Sequence, residues 1–241
     1  MRAHPSGVVW QDVECGGYAA DLDLWEELAG AADGAVLDLG CGTGRVALRL
    51  AERGRDVTGL DLDPELVEAF NRRAGGLPAR AHPGDASGFS LDGRFGLAIA
   101  PMQLVQLLAD EERAGLLRCA ARHLRPGGTL ALAIVEEPPA PPGGAGRPLP
   151  DVREIDGWIY SSLPLDAFLD GAAIVVRRLR QTVGPDGELG EETSAVELRT
   201  LSAGTLEREA ATAGLRAAGR REIPASEDHV GSTAVLLEKG A

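Results

Sequence analysis

The sequence predicts an α/β fold: a doubly wound, seven-stranded, mostly parallel sheet with an antiparallel β insert before the last helix. Three observations predict it. Short continuous apolar runs alternate with segments of helical periodicity over residues 36–135, the pattern of strands buried on both faces by crossover helices. A glycine-dense turn, Gly40–Gly44, joins the first apolar run to the first helix of that series. Beyond a proline- and glycine-rich stretch, strand patterns follow one another with no helix between them.

Ahead of the first strand the spacing predicts one helix, Ala19–Ala29, carrying Leu22, Trp25 and Leu28 on one face. Strand 36–39 feeds helix 44–53, which Gly54 terminates. The second strand is DVTGLDL (56–62), after which Asp63 reads as the N-cap and Pro64 as the first residue of the next helix. ARAHPGD (79–85), FGLAIAP (95–101) and GTLALAIV (128–135) are the third, fourth and fifth strands, with a helix near 110–124 between the last two. EEPPAPPGGAGRPLP (136–150) is a loop by composition. REIDGWIYSSLP (153–164), AIVVRRLRQTV (173–183) and ETSAVELRTLS (192–202) follow as antiparallel strands, the last two joined by a turn at 184–187. A helix at 204–213 and two strands, 216–223 and 232–238, complete the chain around the loop 224–231. The expected organisation is one domain, 1–241: an N-terminal lid (1–30), a core (31–136 and 202–241) and a cap insert (137–201).

With 241 residues, 44% hydrophobic and 25% charged, the chain suits one globular α/β domain with elaborations. A net charge of −13 argues against a broad nucleic-acid footprint, which needs clustered positive charge. It leaves small molecules, cations or a basic partner. Cys15, Cys41 and Cys119 are scattered and odd in number. They suggest neither a disulfide framework nor a zinc site and fit a reducing cytoplasm. The first residues carry no apolar signal core, and the longest apolar run, Leu130–Val135, is too short to span a bilayer. The sequence thus predicts a cytoplasmic protein without membrane or metal.

Gly40, Gly42 and Gly44 fall on alternate positions of VLDLGCGTGR (36–45). Such a bend needs residues without a Cβ, and the helix that follows presents unpaired N–H groups and a partial positive charge to a carboxylate or phosphate. Gly42, Gly44 and Ala47, with Asp61 downstream, also satisfy the spacing of a nicotinamide-dinucleotide turn. The residues around the bend separate the two. VLDLGCGTG with its acid at Asp38, VTGLDLDPELV (57–67), GDA (84–86) and LRPGGTLAL (124–132) together resemble the successive motifs of the class I S-adenosylmethionine-dependent methyltransferases. The likeness covers roughly residues 15–135 and 204–239 and implies their Rossmann-like fold.

By position, the resemblance implies S-adenosyl-L-methionine as cofactor and assigns its contacts. Gly40, Gly42 and Gly44 would curve beneath the methionine part, and Asp38 would hold its ammonium. Asp61 would accept from both ribose hydroxyls, as the two oxygens of a carboxylate can. Leu62 would lie against the adenine, Asp85 would accept from its amine, and the Ala86 N–H would lie nearby. Ala100 and Pro101 would end the fourth strand beside the sulfonium. Tyr18 resembles the family's N-terminal tyrosine near the methionine end, or else anchors the first helix in the core. Asp63 reads as a helix cap, Arg45 as facing solvent or an acid, and His123 as serving its helix dipole.

Family members that methylate base amines, and some that methylate proteins, carry Asn or Asp followed by Pro-Pro-Tyr/Phe after the fourth strand. Ala100-Pro101-Met102-Gln103 departs from that, so the expected acceptor is a small organic molecule methylated at N, O or C, not a nucleic acid. His229, with Glu227 and Asp228 in the last loop, is the candidate general base; its alternative is an exposed histidine without a role. Trp158 and Tyr160 share one face of a strand and either wall a pocket or pack on the sheet. The insert is expected to cap the substrate or to pair two subunits as a homodimer. A cofactor-binding protein without transfer activity, a nicotinamide dehydrogenase and an aminopropyl-transferring relative are the alternatives.

Overall fold

The computed structural model describes residues 7–137, 149–225 and 230–240. Its main sheet is built from β1 (Val36–Leu39), β2 (Val57–Asp61), β3 (Ala79–Pro83), β4 (Phe95–Ala100), β5 (Leu124–Ile134), β10 (Leu215–Ile223) and β11 (Ser232–Lys239), in the order β10-β11-β5-β4-β1-β2-β3. The pairs within β5-β4-β1-β2-β3 are parallel, while β11 is antiparallel to both of its neighbours. β10 therefore runs with the parallel strands, as a doubly wound sheet with a final hairpin requires.

Both faces are covered. Leu37 and Leu39 pack with Leu116, Leu117 and Ala120 of α6 (Asp110–His123) and with Leu206 of α7 (Ala203–Thr212). Val36 packs on the opposite face with Val46 and Leu50 of α3 (Arg45–Glu52), Phe70 of α4 (Pro64–Ala74) and Trp25 of α2 (Leu22–Ala31). This alternation of period two places Asp38 on the α3 face, beneath the helix that follows the glycine bend. Pro64 opens α4 with Asp63 as its cap, the carboxylate accepting from the Glu65 N–H at 2.8 Å.

Three local expectations are corrected. The N-terminal segment holds two helices, not one: α1 (Gly7–Cys15) precedes α2. Val8, Val9 and Val13 lower the intrinsic helix preference of α1, and burial of Trp10 and Val13 decides its conformation. The run 153–164 is not one strand. It divides into β6 (Asp151–Ile155) and β7 (Trp158–Asp170) at Asp156 and Gly157, whose φ of 51° and 78° make the turn that a tight hairpin requires. The fifth strand starts earlier than expected, at Leu124, which pairs with Phe95 ahead of a register shift to Leu97–Thr129. A short helix, α5 (Leu104–Leu107), also follows β4.

The insert forms a separate antiparallel sheet, β6-β7-β8-β9, with β8 at Ala173–Val183 and β9 at Leu189–Arg199. It rests on α1. Tyr160 meets Trp10 edge-on at 5.8 Å, and the Arg180 guanidinium lies 4.9 Å over the Trp10 ring. Arg180 forks onto Glu14 at 2.7 and 2.8 Å, and the Ser162 hydroxyl donates to the same carboxylate at 2.8 Å. Of the two aromatics on β7, Tyr160 thus packs on α1, while Trp158 lies against the Gly184 turn. Gln106 of α5 fixes the exit and return of the insert: its amide donates to the carbonyls of Val135 and Arg199, each at 2.9 Å, and accepts from the Val135 N–H at 2.7 Å.

Burial pushes the Glu14 carboxyl up, but the hydrogen bonds from Arg180 and Ser162 outweigh it and hold the group below its ordinary 4.5. A carboxyl so lowered contributes stability above its unfolded value and loses it as pH falls through the folded one. Glu14→Ala should therefore lower stability by about 1–3 kcal/mol at neutral pH, and the deficit should shrink below pH 4.5. Denaturant unfolding of both proteins at neutral and acid pH measures this; an equal deficit at both would contradict it.

Candidate cofactor and active site

Between β1 and α3 the backbone turns through Gly40, Gly42 and Gly44 at φ of 67°, 54° and 99°. A Cβ on Gly42 would meet Gln11 Nε2 of α1 at 2.8 Å, so the absence of a side chain lets the helix lie across the bend. The bend also leans on the second strand: the N–H groups of Gly40 and Cys41 donate to the Leu60 carbonyl at 2.8 and 3.1 Å. Across it lies Asp12 of α1, which accepts from the Thr43 hydroxyl at 2.8 Å and from Arg73 of α4 at 2.8 and 2.5 Å.

Asp38 stands beneath this bend at 2% exposure, and its Oδ1 has no hydrogen-bond partner among the described residues. Burial pushes its carboxyl up to about 8; Arg45 and the Ala47 N–H oppose the rise, while Asp61 adds to it. A buried carboxylate oxygen without a partner is costly unless a cation or donor meets it. This atom therefore has room to accept from a donor or to meet a cation.

Asp61 closes β2 with both oxygens anchored. Oδ2 accepts from the Gly42 N–H at 2.7 Å and Oδ1 from the Asp63 N–H at 3.0 Å. Each oxygen retains a lone pair, so the carboxylate is held rigidly while still able to accept from a diol. Leu62 beside it is 74% exposed, an apolar side chain open to solvent. The Gly84 N–H donates to the Asp61 carbonyl at 2.8 Å, which brings the loop after β3 to the same edge. There the exposed Asp85 accepts from the Ser87 N–H at 2.8 Å through Oδ1, and Ala86 is half-buried. Ala100 and Pro101 are buried at the end of β4. Met102 and Gln103 follow at φ of 55° and 63°, left-handed positions that strain non-glycine residues and often mark functional loops. The ends of β4, β1, β2 and β3 lie side by side, with the switch of direction between β4 and β1.

Tyr18 is 8% exposed, so it belongs to the core beside the bend, with its side chain hydrogen-bonded to Ser232 at the start of β11. Arg45 meets an acid, as one of its two readings held, and that acid is buried. It forks onto Asp21 at 2.6 and 2.7 Å, donates to the Tyr18 carbonyl at 2.9 Å and lies 5.1 Å over the tyrosine ring. Trp25 Nε1 donates to the same Asp21 at 2.8 Å. Gln11, Asp12 and Asp21 carried no sequence signal, because the groups they meet on the bend, α3 and α4 lie 24 or more residues away. His123 is 5% exposed with both ring nitrogens engaged: Nε2 accepts from the Leu91 N–H at 2.9 Å, and Nδ1 lies 2.7 Å from the Cys119 carbonyl in the last turn of α6. His229 lies outside the described residues. A surface cavity of about 290 Å³ at the opposite edge, lined by Leu28, Gly96 and Arg125 among others, involves none of these groups.

Residues 36–128 match a family described as a methyltransferase domain. The chain is 34% identical over 160 residues to the 2-heptyl-1-hydroxyquinolin-4(1H)-one methyltransferase of Mycobacteroides abscessus, covering 60% of this chain and 70% of that one. It is 34% identical over 115 residues to the cypemycin N-terminal methyltransferase of a Streptomyces species, and there the match spans about half of each chain, 47% in both. Among solved structures, the sugar N-methyltransferase KedS8 from Streptoalloteichus superposes with a TM-score of 0.75 at 20% identity, over 100% of this chain and 96% of that one. CalS10 from Micromonospora echinaspora, an amino pentose methyltransferase solved with S-adenosylmethionine bound, gives 0.70 at 19% identity over 99% of both chains. The fold is therefore shared across the insert as well as the main sheet. A glycine bend over a buried, half-satisfied acid, in a chain with these relatives, has one reading: the protein belongs to the class I S-adenosylmethionine-dependent methyltransferases.

Proposed function

We propose that the protein transfers a methyl group to a small organic acceptor, with S-adenosylmethionine held along the rim formed by the ends of β1 to β4. The observation that carries this is the unpartnered Oδ1 of Asp38 on the same rim as the doubly anchored Asp61. Asp38 receives the ammonium, the bend 40–44 cradles the methionine chain, and Asp61 accepts from the ribose hydroxyls. Leu62 covers the adenine, while Asp85 and the Ala86 N–H read its edge. Ala100 and Pro101 border the sulfonium. Tyr18, held by Arg45, backs the methionine end without needing to touch it.

When bound, the cofactor supplies an electrophilic methyl on sulfur, displaced in line by the acceptor's lone pair. The chain's own task is alignment and exclusion of water. α1, tied to the bend through Asp12 and to the insert through Glu14, forms the roof of the site. The acceptor enters between this roof and the strained Met102-Gln103 turn. His229, outside the described residues, is the proposed base for an acceptor that needs one. Nitrogen, oxygen and carbon acceptors all remain within this reading; relatives named for N-terminal, hydroxyquinolone and ubiquinone-precursor methylation support a small acceptor rather than nucleic acid. Three free cysteines suit a cytoplasmic setting, and among the described residues no helix is long and apolar enough to cross a membrane.

The face of the insert turned away from α1 carries a cross-strand row, Ile159, Val183 and Leu189, with Ile159 43% and Leu189 54% exposed. We propose that a second copy of the chain covers it. Sedimentation of Ile159→Glu against the parent should show a dimer shifted to monomer; an identical distribution for both would contradict the pairing.

Titration calorimetry separates the cofactor classes. S-adenosylhomocysteine should bind and NAD should not, and Asp61→Ala should lose about 1–3 kcal/mol of that affinity. Undiminished binding by the variant would remove Asp61 from the site. A second outcome follows from Asp38. Its raised value means that the unliganded protein holds a proton there below about pH 8. Pairing with an ammonium requires that proton to leave. Affinity for S-adenosylhomocysteine should therefore rise with pH up to about 8, with proton release that changes the binding heat between buffers. Asp38→Asn should bind weakly and release none. By the same linkage, unliganded stability should fall as pH rises from 4 towards 8, since the folded state holds the extra proton.

A further inference from the structure

The loop between β3 and β4 carries Asp85 and Ala86, and it is docked along its length on α6 by three residues spaced one turn apart. At Gly115 an added Cβ would lie 2.3 Å from the Ser87 carbonyl oxygen, so only glycine admits this approach. One turn on, Cys119 is 3% exposed and its Sγ–H faces the same carbonyl at 3.8 Å, while Arg122 donates to the sulfur at 2.9 Å. A further turn on, His123 Nε2 accepts from the Leu91 N–H at 2.9 Å. Because Nε2 accepts, the ring proton sits on Nδ1, which donates to the Cys119 carbonyl at 2.7 Å. The imidazole also stacks on Phe89, centroid to centroid at 4.6 Å.

We propose that Gly115, Cys119 and His123 are positioning residues for base recognition: they fix Ser87, Phe89 and Leu91, and so aim the Asp85 carboxylate at the cofactor's exocyclic amine. This rests on the reading that Asp85 meets adenine. The link is the turn at the loop's start, where the Ser87 N–H holds Asp85 Oδ1 at 2.8 Å and the Gly88 N–H donates to the Asp85 carbonyl at 3.1 Å. With Ser87 pinned on its carbonyl side by α6, Oδ2 is the oxygen left to accept from a ligand. A carboxylate favours an amine over a carbonyl only if it cannot swing away, and on an exposed loop the restraint comes from behind. His123 thus acts through hydrogen bonds at the far end of the loop, without touching cofactor itself.

The test compares binding of S-adenosylhomocysteine with that of its inosine analogue, in which a carbonyl replaces the adenine amine. Asp85→Ala should reduce the preference for adenine about tenfold, the scale of one charge-assisted hydrogen bond. His123→Leu, which leaves the partly buried Leu91 N–H without its acceptor, should reduce it by a comparable factor and accelerate amide exchange at Leu91 without altering exchange in β1. His123→Gln, which restores an acceptor, should recover most of the preference. If His123→Leu does not fold, Gly115→Ala carries the same comparison. A preference unchanged in His123→Leu, or equally lost in His123→Gln, would overturn the proposal. A preference unchanged in Asp85→Ala would instead overturn the adenine reading, with Leu91 exchange still reporting whether the docking exists.

Discussion

Asp38 is the constraint around which the site is organised. It sits on the second strand-face of β1 at 2% exposure, below a bend that only glycines can trace, with one oxygen unmet. A protein core tolerates such a group when something regularly completes it. Its neighbours are arranged accordingly: Arg45 supplies positive charge nearby but is committed to Asp21 through two short hydrogen bonds, so it offsets the burial without satisfying Oδ1. The accepting capacity of that oxygen stays unused among the described residues.

Asp61 works on a different principle. Its oxygens are bound to backbone N–H groups at 2.7 and 3.0 Å, so its place is fixed before any ligand arrives. The N–H groups belong to the glycine bend and to the start of α4, which makes the carboxylate a joint between those two segments. Preorganised acceptors of this sort lose little freedom on binding. A partly satisfied acid for the charged end and a fully anchored one for the neutral sugar are suited to opposite ends of one molecule.

α1 couples this rim to the insert. One face of a nine-residue helix carries Asp12 towards Thr43 and Arg73, while Glu14 and Trp10 reach Arg180, Ser162 and Tyr160. Contacts to the cofactor bend and to the antiparallel sheet therefore share one short rigid element. A change in the insert reaches the bend through a single turn of helix, which gives a physical route from the antiparallel sheet to the bend beneath it. The partly buried Arg–carboxylate pairs here accept multiple hydrogen bonds, the condition under which such pairs contribute rather than cost.

The sequence alone determined the doubly wound sheet, the position of the bend and the cap at Asp63, because these depend on local chemistry: glycine spacing, apolar periodicity and the residue that precedes a helix. It also placed the antiparallel insert, though it missed the Asp156-Gly157 turn inside it, where a short polar pair interrupts an otherwise continuous strand pattern. Tertiary structure decided what local propensity opposes or cannot encode. The valine-bearing segment 7–15 becomes a helix because Trp10 and Val13 are buried against other elements. Tyr18 enters the core because Arg45, 27 residues away, holds its carbonyl and covers its ring. His123 becomes an acceptor for Leu91, 32 residues distant. In each case the deciding partner is remote along the chain, and only folding brings the two within hydrogen-bonding reach.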